Sequence, residues 1–329
     1  MEELKLLDQL LEKSGHYHPL YGDGLATHLP MVLTALDLLN ASSIKLQHTF
    51  DESIKGLEEI GSLEGVTSVN GIDSNLGNSE SFRSYLTYFK SELAQCGTQA
   101  VLKKSLPILI SGVAASAFHG LIRLAYAIEA NCQSEMAIAL AYWSAEYQSF
   151  ELNEETTNES LESILTKLSP LGENHKFSPG LIVDRMSEIG ILLKSKGSIT
   201  QPNIIDISTL REFTIKSFYL SDDFTLLHTV TGCHALSIVL PYLEDKQTAL
   251  RELWKAIVVA YLSTGLRYQD KEITTVENNI NFSPIIEKAL KSEDSHAIKL
   301  VYTCLCEYKN WNDALYFTVS KRAILNSHS

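Results

Sequence analysis

Apolar residues recur at intervals of three and four along most of the chain, which is the spacing that places side chains on one face of an α-helix. Three clear series are Leu25, His28, Val32, Ala35 and Leu39; Phe82, Tyr85, Leu86, Phe89 and Leu93; and Leu250, Trp254, Ile257, Tyr261 and Leu262. Strand-like stretches such as residues 204–207 are isolated and form no regular series. The pattern therefore predicts an all-α fold of roughly a dozen helices.

Polar segments rich in glycine, proline, serine or asparagine separate the predicted helices. They comprise residues 15–24, 61–81, 151–162, 169–178 and 194–203. Two further segments, residues 221–223 and 292–294, carry side chains that can cap the following helix by accepting hydrogen bonds from free backbone N–H groups. No self-similarity recurs at a fixed period, so a repeat solenoid is not predicted.

The chain of 329 residues is long enough for one large domain or two smaller ones. The polar breaks between residues 150 and 178 would divide it into two halves, residues 1–150 and 179–329. Histidines in apolar segments occur on both sides of these breaks, which suggests that the halves share one core. We therefore predict a single compact multi-helical domain over residues 1–329.

The net charge of −13 argues against a surface that binds the phosphates of DNA or RNA. The most apolar run, residues 106–122, is shorter than the roughly 20 residues that span a bilayer, so we expect a buried core helix and no membrane association. No secretory signal is visible, which predicts a cytoplasmic protein. The five cysteines are then not expected to form a disulfide framework, and Cys304 and Cys306 are expected to be small core residues that do not share a metal.

Five histidines lie in segments that otherwise read as apolar helix: His28, His119, His228, His234 and His296. An imidazole is polar and titrates near neutral pH, so it needs a hydrogen-bond partner or a metal when it is buried. A single such residue is usually a core histidine with a satisfied hydrogen bond. Five of them predict a central polar or metal-binding pocket lined by histidines.

Two neighbours of His119 are relevant to a possible site: Gly120, which follows it directly, and Arg123, which lies one helical turn later. The glycine allows another backbone or a ligand to approach closely. His119 and Arg123 lie on the same helix face and could together bind an oxyanion or an enolate. The alternative is a histidine bonded to a nearby carbonyl and an arginine that reaches solvent.

The C-terminal half offers two further groups. His228 and His234 are six residues apart, about 120° around a helix, so a straight helix does not aim both at one metal. His296 and Lys299 are neighbours on one helix face, and a partly buried lysine beside a histidine would have a lowered pKa. Lys299 could then act as a base, or take up carbon dioxide as a carbamate and become an anionic metal ligand. The alternative is a solvated surface lysine.

Known catalytic templates fit poorly. No Gly-x-Ser-x-Gly nucleophile elbow and no HExxH zinc motif occur. The glycine turn at residues 22–24 lacks the third glycine and the preceding strand of a dinucleotide fingerprint. A mononuclear histidine-rich site remains possible, and imidazole suits iron, zinc, copper and nickel alike.

Several segments, taken in order, resemble the questin oxidase-like family. They are residues 18–21, 28–31, 85–89, 106–107, 117–126, 139–143, 228–234 and 296–299. The resemblance implies an α-helical oxidoreductase; fungal members act on anthraquinones, and questin oxidase itself is an NADPH-requiring ring opener. Relatives use non-haem iron held by several histidines and a modified lysine.

Carried to this sequence, the resemblance makes His28, His119, His234 and His296 the leading ligands of Fe(II). His228 is held in reserve, and Lys299 is the candidate carbamate. NADPH is implied by the resemblance alone, since the sequence contains no nicotinamide or flavin fingerprint.

The sequence thus favours an oxygen-dependent oxidoreductase that oxidises or opens an aromatic or quinone-type ring, with a histidine or Lys299 taking the phenolic proton. Aromatic residues that could stack on a planar substrate, or simply fill the core, are Phe118, Tyr126, Tyr142, Trp143 and Trp254. The alternatives are a catalytically silent helical binding module that retains the pocket, and a metal-free oxygenase.

Overall fold

The structure is a computed structural model that describes residues 5–273 and 279–326. This part of the chain contains fifteen α-helices: α1 (Leu6–Ser14), α2 (Leu29–Leu38), α3 (Ser43–Ser53), α4 (Phe82–Cys96), α5 (Thr98–Leu109), α6 (His119–Glu129), α7 (Gln133–Ala145), α8 (Leu161–Glu173), α9 (Ile182–Lys196), α10 (Ile207–Ser221), α11 (Phe224–Val239), α12 (Lys246–Ser263), α13 (Ser283–Ala289), α14 (Ser295–Trp311) and α15 (Ala314–Asn326). The prediction of an all-α fold is confirmed.

Strands are short and lie at the periphery of the helical core. β1 (Leu20–Tyr21) and β2 (Leu25–Ala26) form a small antiparallel hairpin. β3 (Asn153–Thr157) pairs in parallel with β4 (Ile199–Pro202), so three of the predicted polar breaks hold strands when β1 is included. The break predicted at residues 169–178 begins later, because packing of α8 against α12 keeps the chain helical through Glu173 despite Pro170.

The core brings both halves of the chain together. α2 and α6 from the first half contact α14 and α11 from the second half, and α6 also packs on α7. The buried apolar side chains form one continuous cluster that runs from α1 to α15. The five aromatic residues considered for substrate stacking are core residues here, each exposed by 5% or less.

The apolar run at residues 106–122 is not the single helix that the sequence predicts. α5 ends at Leu109, and a 3₁₀ turn over Ile110–Gly112 and a loop precede α6. Ser116, Ala117 and Phe118 all adopt positive φ angles, of 47°, 54° and 70°. A left-handed residue other than glycine costs free energy, so three in a row require strong tertiary support.

Capping residues fix the starts of the other helices that carry histidines. Asp223 caps α11 and Asp294 caps α14, as the polar segments before these helices predict. His28 does not continue a helix from Leu25, because β2 occupies that segment; His28 is instead the N-cap residue of α2.

One helical stretch, Phe224–Tyr242, is long and apolar enough to cross a membrane by length and composition alone. In the fold, 67% of it is buried, and it carries His228 and His234. Both features are those of a core helix.

The close contact between α6 and α7 yields a prediction about Gly120. A Cβ atom added there would lie 2.9 Å from Cβ and Cγ of Trp143 and 3.1 Å from its Cα. Gly120→Ala should therefore destabilise the protein by about 1–3 kcal/mol through overpacking, measured by urea unfolding. Alanine is the better helix former, so a variant as stable as the wild type would contradict the contact.

Candidate functional site

Four helices bring five of the predicted residues into one buried group. We call His28, His119, His228, His296 and Lys299 the histidine–lysine cluster. Its rings form a closed circuit, with centroid distances of 5.0 Å for His28–His119, 4.9 Å for His119–His228, 5.6 Å for His228–His296 and 4.3 Å for His296–His28. Lys299 is only 2% exposed and follows His296 by one helical turn.

The outward ring nitrogens of three histidines are hydrogen bonded. Nδ1 of His119 donates to the Ser116 carbonyl at 2.6 Å, and Nδ1 of His228 donates to the Phe224 carbonyl at 2.9 Å. Nδ1 of His28 shares a hydrogen bond of 2.9 Å with the Ser295 hydroxyl. Such partners fix the orientation of an imidazole ring and decide which nitrogen carries the proton.

These partners determine the tautomers. A neutral His119 that donates through Nδ1 can only accept through Nε2. His28 Nε2 lies 2.9 Å from His119 Nε2, so His28 donates there and its Nδ1 accepts from the Ser295 hydroxyl. The hydroxyl can also accept, which lets His28 hold the opposite tautomer and free its Nε2.

The inner nitrogens of the cluster differ in their partners, since Nε2 of His28 and His119 bond each other. Nε2 of His296 is buried and has no hydrogen-bond partner. A buried polar atom without a partner costs free energy and is a common feature of functional sites. Among the described residues, no three or more His, Cys, Asp or Glu side chains are spaced as a formed metal site. The cluster thus brings four imidazoles together without the spacing of a metal site.

The strained loop before α6 positions His119. The left-handed turn over residues 116–118 directs the Ser116 carbonyl onto the His119 ring. The Phe118 side chain is fully buried and sits against Gly232 of α11, where even a methyl group would lie 3.2 Å from its ring. This contact joins α6 to α11 and so fixes His119 relative to His228.

Burial lowers the pKa of every member of the cluster. It is the main cause that holds the pKa of His28 and His119 well below 6.5, and it lowers the pKa of His228 to about 4 and of His296 to about 2. The Lys299 charge lowers all four further. Burial also lowers the pKa of Lys299 to about 7, against a small opposing effect of Asp294.

Helix dipoles add to this electrostatic setting. His28 is the N-cap of α2, His119 and His296 are the first and second residues of α6 and α14, and His228 lies in the second turn of α11. The N-terminal end of a helix carries partial positive charge. Four such ends therefore disfavour protonated imidazoles and favour an anionic group among them.

Phe224 covers one side of the cluster. Its ring lies 5.0 Å from that of His228 and 4.7 Å from that of His296, both in edge-on contacts, while 52% of the residue is exposed. An apolar ring between solvent and two imidazoles limits the access of water to them.

Arg123 lies apart from the predicted oxyanion role. Its side chain is 1% exposed and forms a two-pronged ion pair with Glu135 of α7, with Nε–Oε1 and Nη2–Oε2 distances of 2.5 Å and 3.2 Å. Neither the predicted convergence with His119 nor the alternative of a solvated arginine describes this arrangement. The carboxylate that balances the charge is on another helix, so the spacing within α6 gave no sign of it.

His234, a leading ligand candidate, also faces other partners. Its Nδ1 bonds Glu307 at 2.7 Å, and its ring contacts Tyr302 at 6.2 Å between centroids. His228, held in reserve by the sequence, is the member of α11 that joins the cluster. The six-residue spacing correctly predicts that the two histidines do not share one position, but it cannot say which one points inward.

Sequence reasoning missed the residues that orient the cluster. Ser295 directly precedes His296, so its hydroxyl could have been considered as part of the site. Its hydrogen bond to His28 spans 267 positions of the chain and is not predictable from local sequence. Phe224 precedes His228 by one helical turn, so its carbonyl could have been predicted as the partner. The Ser116 carbonyl reaches His119 because residues 116–118 adopt positive φ angles. None of these residues is a glycine, so the sequence does not predict the left-handed loop.

The fold and this site define an all-α protein in which four histidines and a lysine, drawn from both halves of the chain, form one buried group. The questin oxidase-like family model matches residues 25–192 and 219–304, and the chain belongs to this family. The matched ranges include every member of the histidine–lysine cluster. No curated protein matches the chain. Family membership indicates an oxidoreductase with a small-molecule substrate.

The lowered histidine pKa values predict acid destabilisation of the metal-free protein. In the unfolded chain these histidines bind protons near pH 6.5, while the folded cluster binds them only at lower pH. The stability they contribute is present above pH 6.5 and is lost as the pH falls toward about 4, by up to about 1.4 kcal/mol per histidine and pH unit. Urea unfolding at pH 6.5, 6.0, 5.5 and 5.0 measures this slope.

Two variants isolate the effect. His228→Gln should reduce the slope by close to one proton, because it removes one titrating group. His16→Gln, at an exposed histidine outside the cluster, should leave the slope unchanged. Equal slopes in wild type and His228→Gln would refute a neutral buried His228.

Lys299 yields a second prediction, for stability at neutral pH. The pKa of Lys299 in the folded protein lies below its ordinary value of 10.5. Between pH 7 and 10.5 the amine is therefore more fully protonated in the unfolded chain, which lowers the free energy of the unfolded state. The buried amine thus destabilises the fold at pH 7. Lys299→Met should raise the free energy of unfolding at pH 7 by about 2 kcal/mol or more, since one pKa unit corresponds to about 1.4 kcal/mol.

The matched control is Lys255, a lysine that is 8% exposed and bonds Glu252 at 2.9 Å. Lys255→Met leaves Glu252 without that partner and should lower stability. Destabilisation by both substitutions, measured by urea unfolding of the metal-free proteins, would mean that Lys299 is an ordinary satisfied lysine.

Proposed function

We propose that this protein is an oxygen-dependent oxidoreductase that oxidises or opens an aromatic or quinone-type ring. The reaction takes place at the histidine–lysine cluster with non-haem iron. The observation that carries the proposal is the convergence of four neutral imidazoles on one buried point. Protein groups engage Nδ1 in three of the four cases, and Nε2 of His296 has no partner. Nε2 of His28 and His119 bond each other, and the other tautomer of His28 would free both as donors.

The donor set fits a ferrous ion. Metal-bound imidazoles are typically oriented by a hydrogen bond to the other ring nitrogen, as seen for His28, His119 and His228. His296 contributes a buried Nε2 atom that has no protein partner. The ligand must be a neutral imidazole, and burial keeps all four neutral at physiological pH. When bound, Fe(II) supplies the electrons that activate molecular oxygen.

Lys299 is proposed as a fifth ligand after modification. Its low pKa supplies the uncharged amine that can attack the carbon of carbon dioxide, forming an N–C bond and releasing one proton to a neighbouring base. The product is an anionic carbamate. Four helix N-terminal ends around this position favour the negative charge, whereas they disfavour the ammonium form.

The protein residues have separate tasks in this proposal. Ser116, Phe224 and Ser295 hold the rings, and Ser295 can exchange donor and acceptor roles as His28 changes tautomer. An unmodified Lys299 is the alternative base for a phenolic proton, since its pKa of about 7 lies near physiological pH. The Phe224 ring keeps bulk water away from the cluster. NADPH is the proposed reductant, on the family resemblance.

Metal analysis by mass spectrometry tests the proposal, on untagged protein purified without chelator. The wild type should contain about one iron per chain, and His119→Ala and His296→Ala should lose it because each removes a ligand. Hydroxylated anthraquinones are the first substrates to test by oxygen consumption, with and without NADPH.

His234→Gln is the matched control for iron content. His234 is as buried as the ligands but bonds Glu307, so its replacement should retain the iron. Full iron retention in His119→Ala and His296→Ala would refute the site. Absence of metal from the wild type, even after anaerobic reconstitution with ferrous iron, would favour the binding module or the metal-free oxygenase.

A further inference from the structure

The members of the histidine–lysine cluster differ in how far they lie from solvent. His119, His228 and Lys299 are exposed by only 6%, 2% and 2%. His28 and His296 are partly exposed, and 22% of the His296 side chain is accessible. The rings of these two histidines contact each other at 4.3 Å between centroids. The side of the cluster that they form is therefore the side nearest to solvent, and it gives a small molecule the shortest route to the imidazoles.

Phe224 lies directly against two of the imidazoles and is open to solvent. Its ring contacts those of His296 and His228 edge-on, with interplanar angles of 69° and 81°. At the same time 52% of Phe224 is exposed, although phenylalanine is among the residues most often found fully buried. The position of the phenyl ring is thus in direct contact with the cluster and accessible from outside. The aromatic ring of a small molecule would make the same contacts there.

The side chain of Phe224 can leave this position while its backbone stays in place. Phe224 is the first residue of α11, and Asp223 caps this helix by accepting a hydrogen bond of 2.8 Å from the backbone N–H of Thr225. The Phe224 carbonyl accepts the hydrogen bond from Nδ1 of His228. Neither bond involves the phenyl ring. No turn of α11 precedes Phe224, so the clash that restricts χ1 inside a helix does not apply, and rotation about χ1 would carry the ring into solvent.

We propose that the Phe224 ring occupies the position of the substrate's reacting ring, and that the substrate displaces it to lie directly against His228 and His296. The substrate ring is planar and aromatic, because imidazole rings bound the position and favour edge-on or offset-stacked contacts. A hydroxyl on this ring can donate a hydrogen bond to a neutral imidazole nitrogen. The role of the position as a substrate site rests on the proposed function, whereas binding of an aromatic ring there does not.

Displacement of Phe224 costs less free energy than displacement of a fully buried aromatic side chain. About half of the residue is already in water, so its movement transfers a smaller apolar area to solvent. The substrate ring then makes the edge-on contacts that the phenyl ring gives up. The affinity of the wild type for an aromatic ligand is nevertheless reduced by competition with its own side chain, in proportion to the fraction of molecules in which Phe224 is turned away.

Calorimetric titration of 2-naphthol, a planar uncharged phenol, into the metal-free full-length protein tests the displacement. Phe224→Ala removes the competing ring and keeps the carbonyl that bonds His228, so it should bind at least about threefold more tightly than the wild type. Trp311→Ala replaces an aromatic residue that is 41% exposed at the far end of α14, and should bind like the wild type. Weaker binding by Phe224→Ala would mean that the phenyl ring stacks on the ligand. That result, equal binding, or no binding by the wild type would overturn the proposal.

Chemical modification of the histidines locates the bound ring. Diethyl pyrocarbonate modifies neutral, accessible imidazoles, and mass spectrometry of the peptides identifies each modified residue. In metal-free Phe224→Ala, His228 and His296 should react at least about threefold faster than in the wild type, and 2-naphthol should slow both. In the wild type, 2-naphthol should protect His296. The exposed His16 lies outside the cluster and should react equally in every sample. Equal modification of His296 with and without bound 2-naphthol would place the ligand elsewhere and overturn the proposal.

The two proposals can fail separately, because neither the titration nor the modification requires iron or turnover. Protection of His296 by 2-naphthol, in a protein that takes up no iron, would refute the iron-dependent oxidase and leave a binding position for an aromatic ring. Iron that is bound by the wild type and lost in His119→Ala, without protection of His296 in the metal-free protein, would refute the displacement of Phe224 and leave the oxidase.

Discussion

Burial of a lysine amine among four imidazoles is the constraint on which this site depends. Removing an ammonium group from water is costly unless a carboxylate pairs with it, and the described residues place none in ion-pair contact with Lys299. The consequence is a low pKa for the amine and for the rings around it. The apolar core of the same helices offsets this free-energy cost. Its residues include Leu33, Leu36, Ile298 and Val301, each exposed by 1% or less.

The N-terminal ends of four helices add positive partial charge around the cluster, which favours neutral imidazoles and an anionic group. Each histidine lies at or near the first turn of its helix, where the helix dipole is positive. The strained loop over residues 116–118 is part of the same arrangement, because it ends one helix early and starts α6 at His119. Strain of this kind persists only where packing enforces it, here through the fit of Phe118 against Gly232.

Sequence periodicity was sufficient for the fold class, and it placed α4 and α12 well, because both bury a regular apolar face. It failed for residues 106–122, where an apolar composition conceals a loop, and at His28, where a hairpin replaces the expected first turn. The histidines themselves were predictable as an excess of imidazole in apolar segments. Which histidine of α11 joins the cluster was not predictable, since His228 faces the cluster and His234 faces the buried Glu307 only through the way α11 packs on α6 and α14.

Comparison of the buried polar groups within this one core shows why the cluster stands out. Arg123 is neutralised by Glu135, and His234 is bonded to Glu307, so both are polar groups with carboxylate partners of their own. Within the described residues, the carboxylate in contact with the cluster is that of Asp294, which is partly exposed and lies 3.8 Å from Nδ1 of His296. Side chains of the same types thus have a carboxylate partner in two places and neutral hydrogen-bond partners in the third, although Nη1 of Arg123 and Nε2 of His234 also lack a partner. A core that supplies carboxylate partners elsewhere gives the cluster none in close contact, so the proposed ferrous ion would need an anionic ligand such as the carbamate of Lys299 to balance its charge beside the positive helix ends.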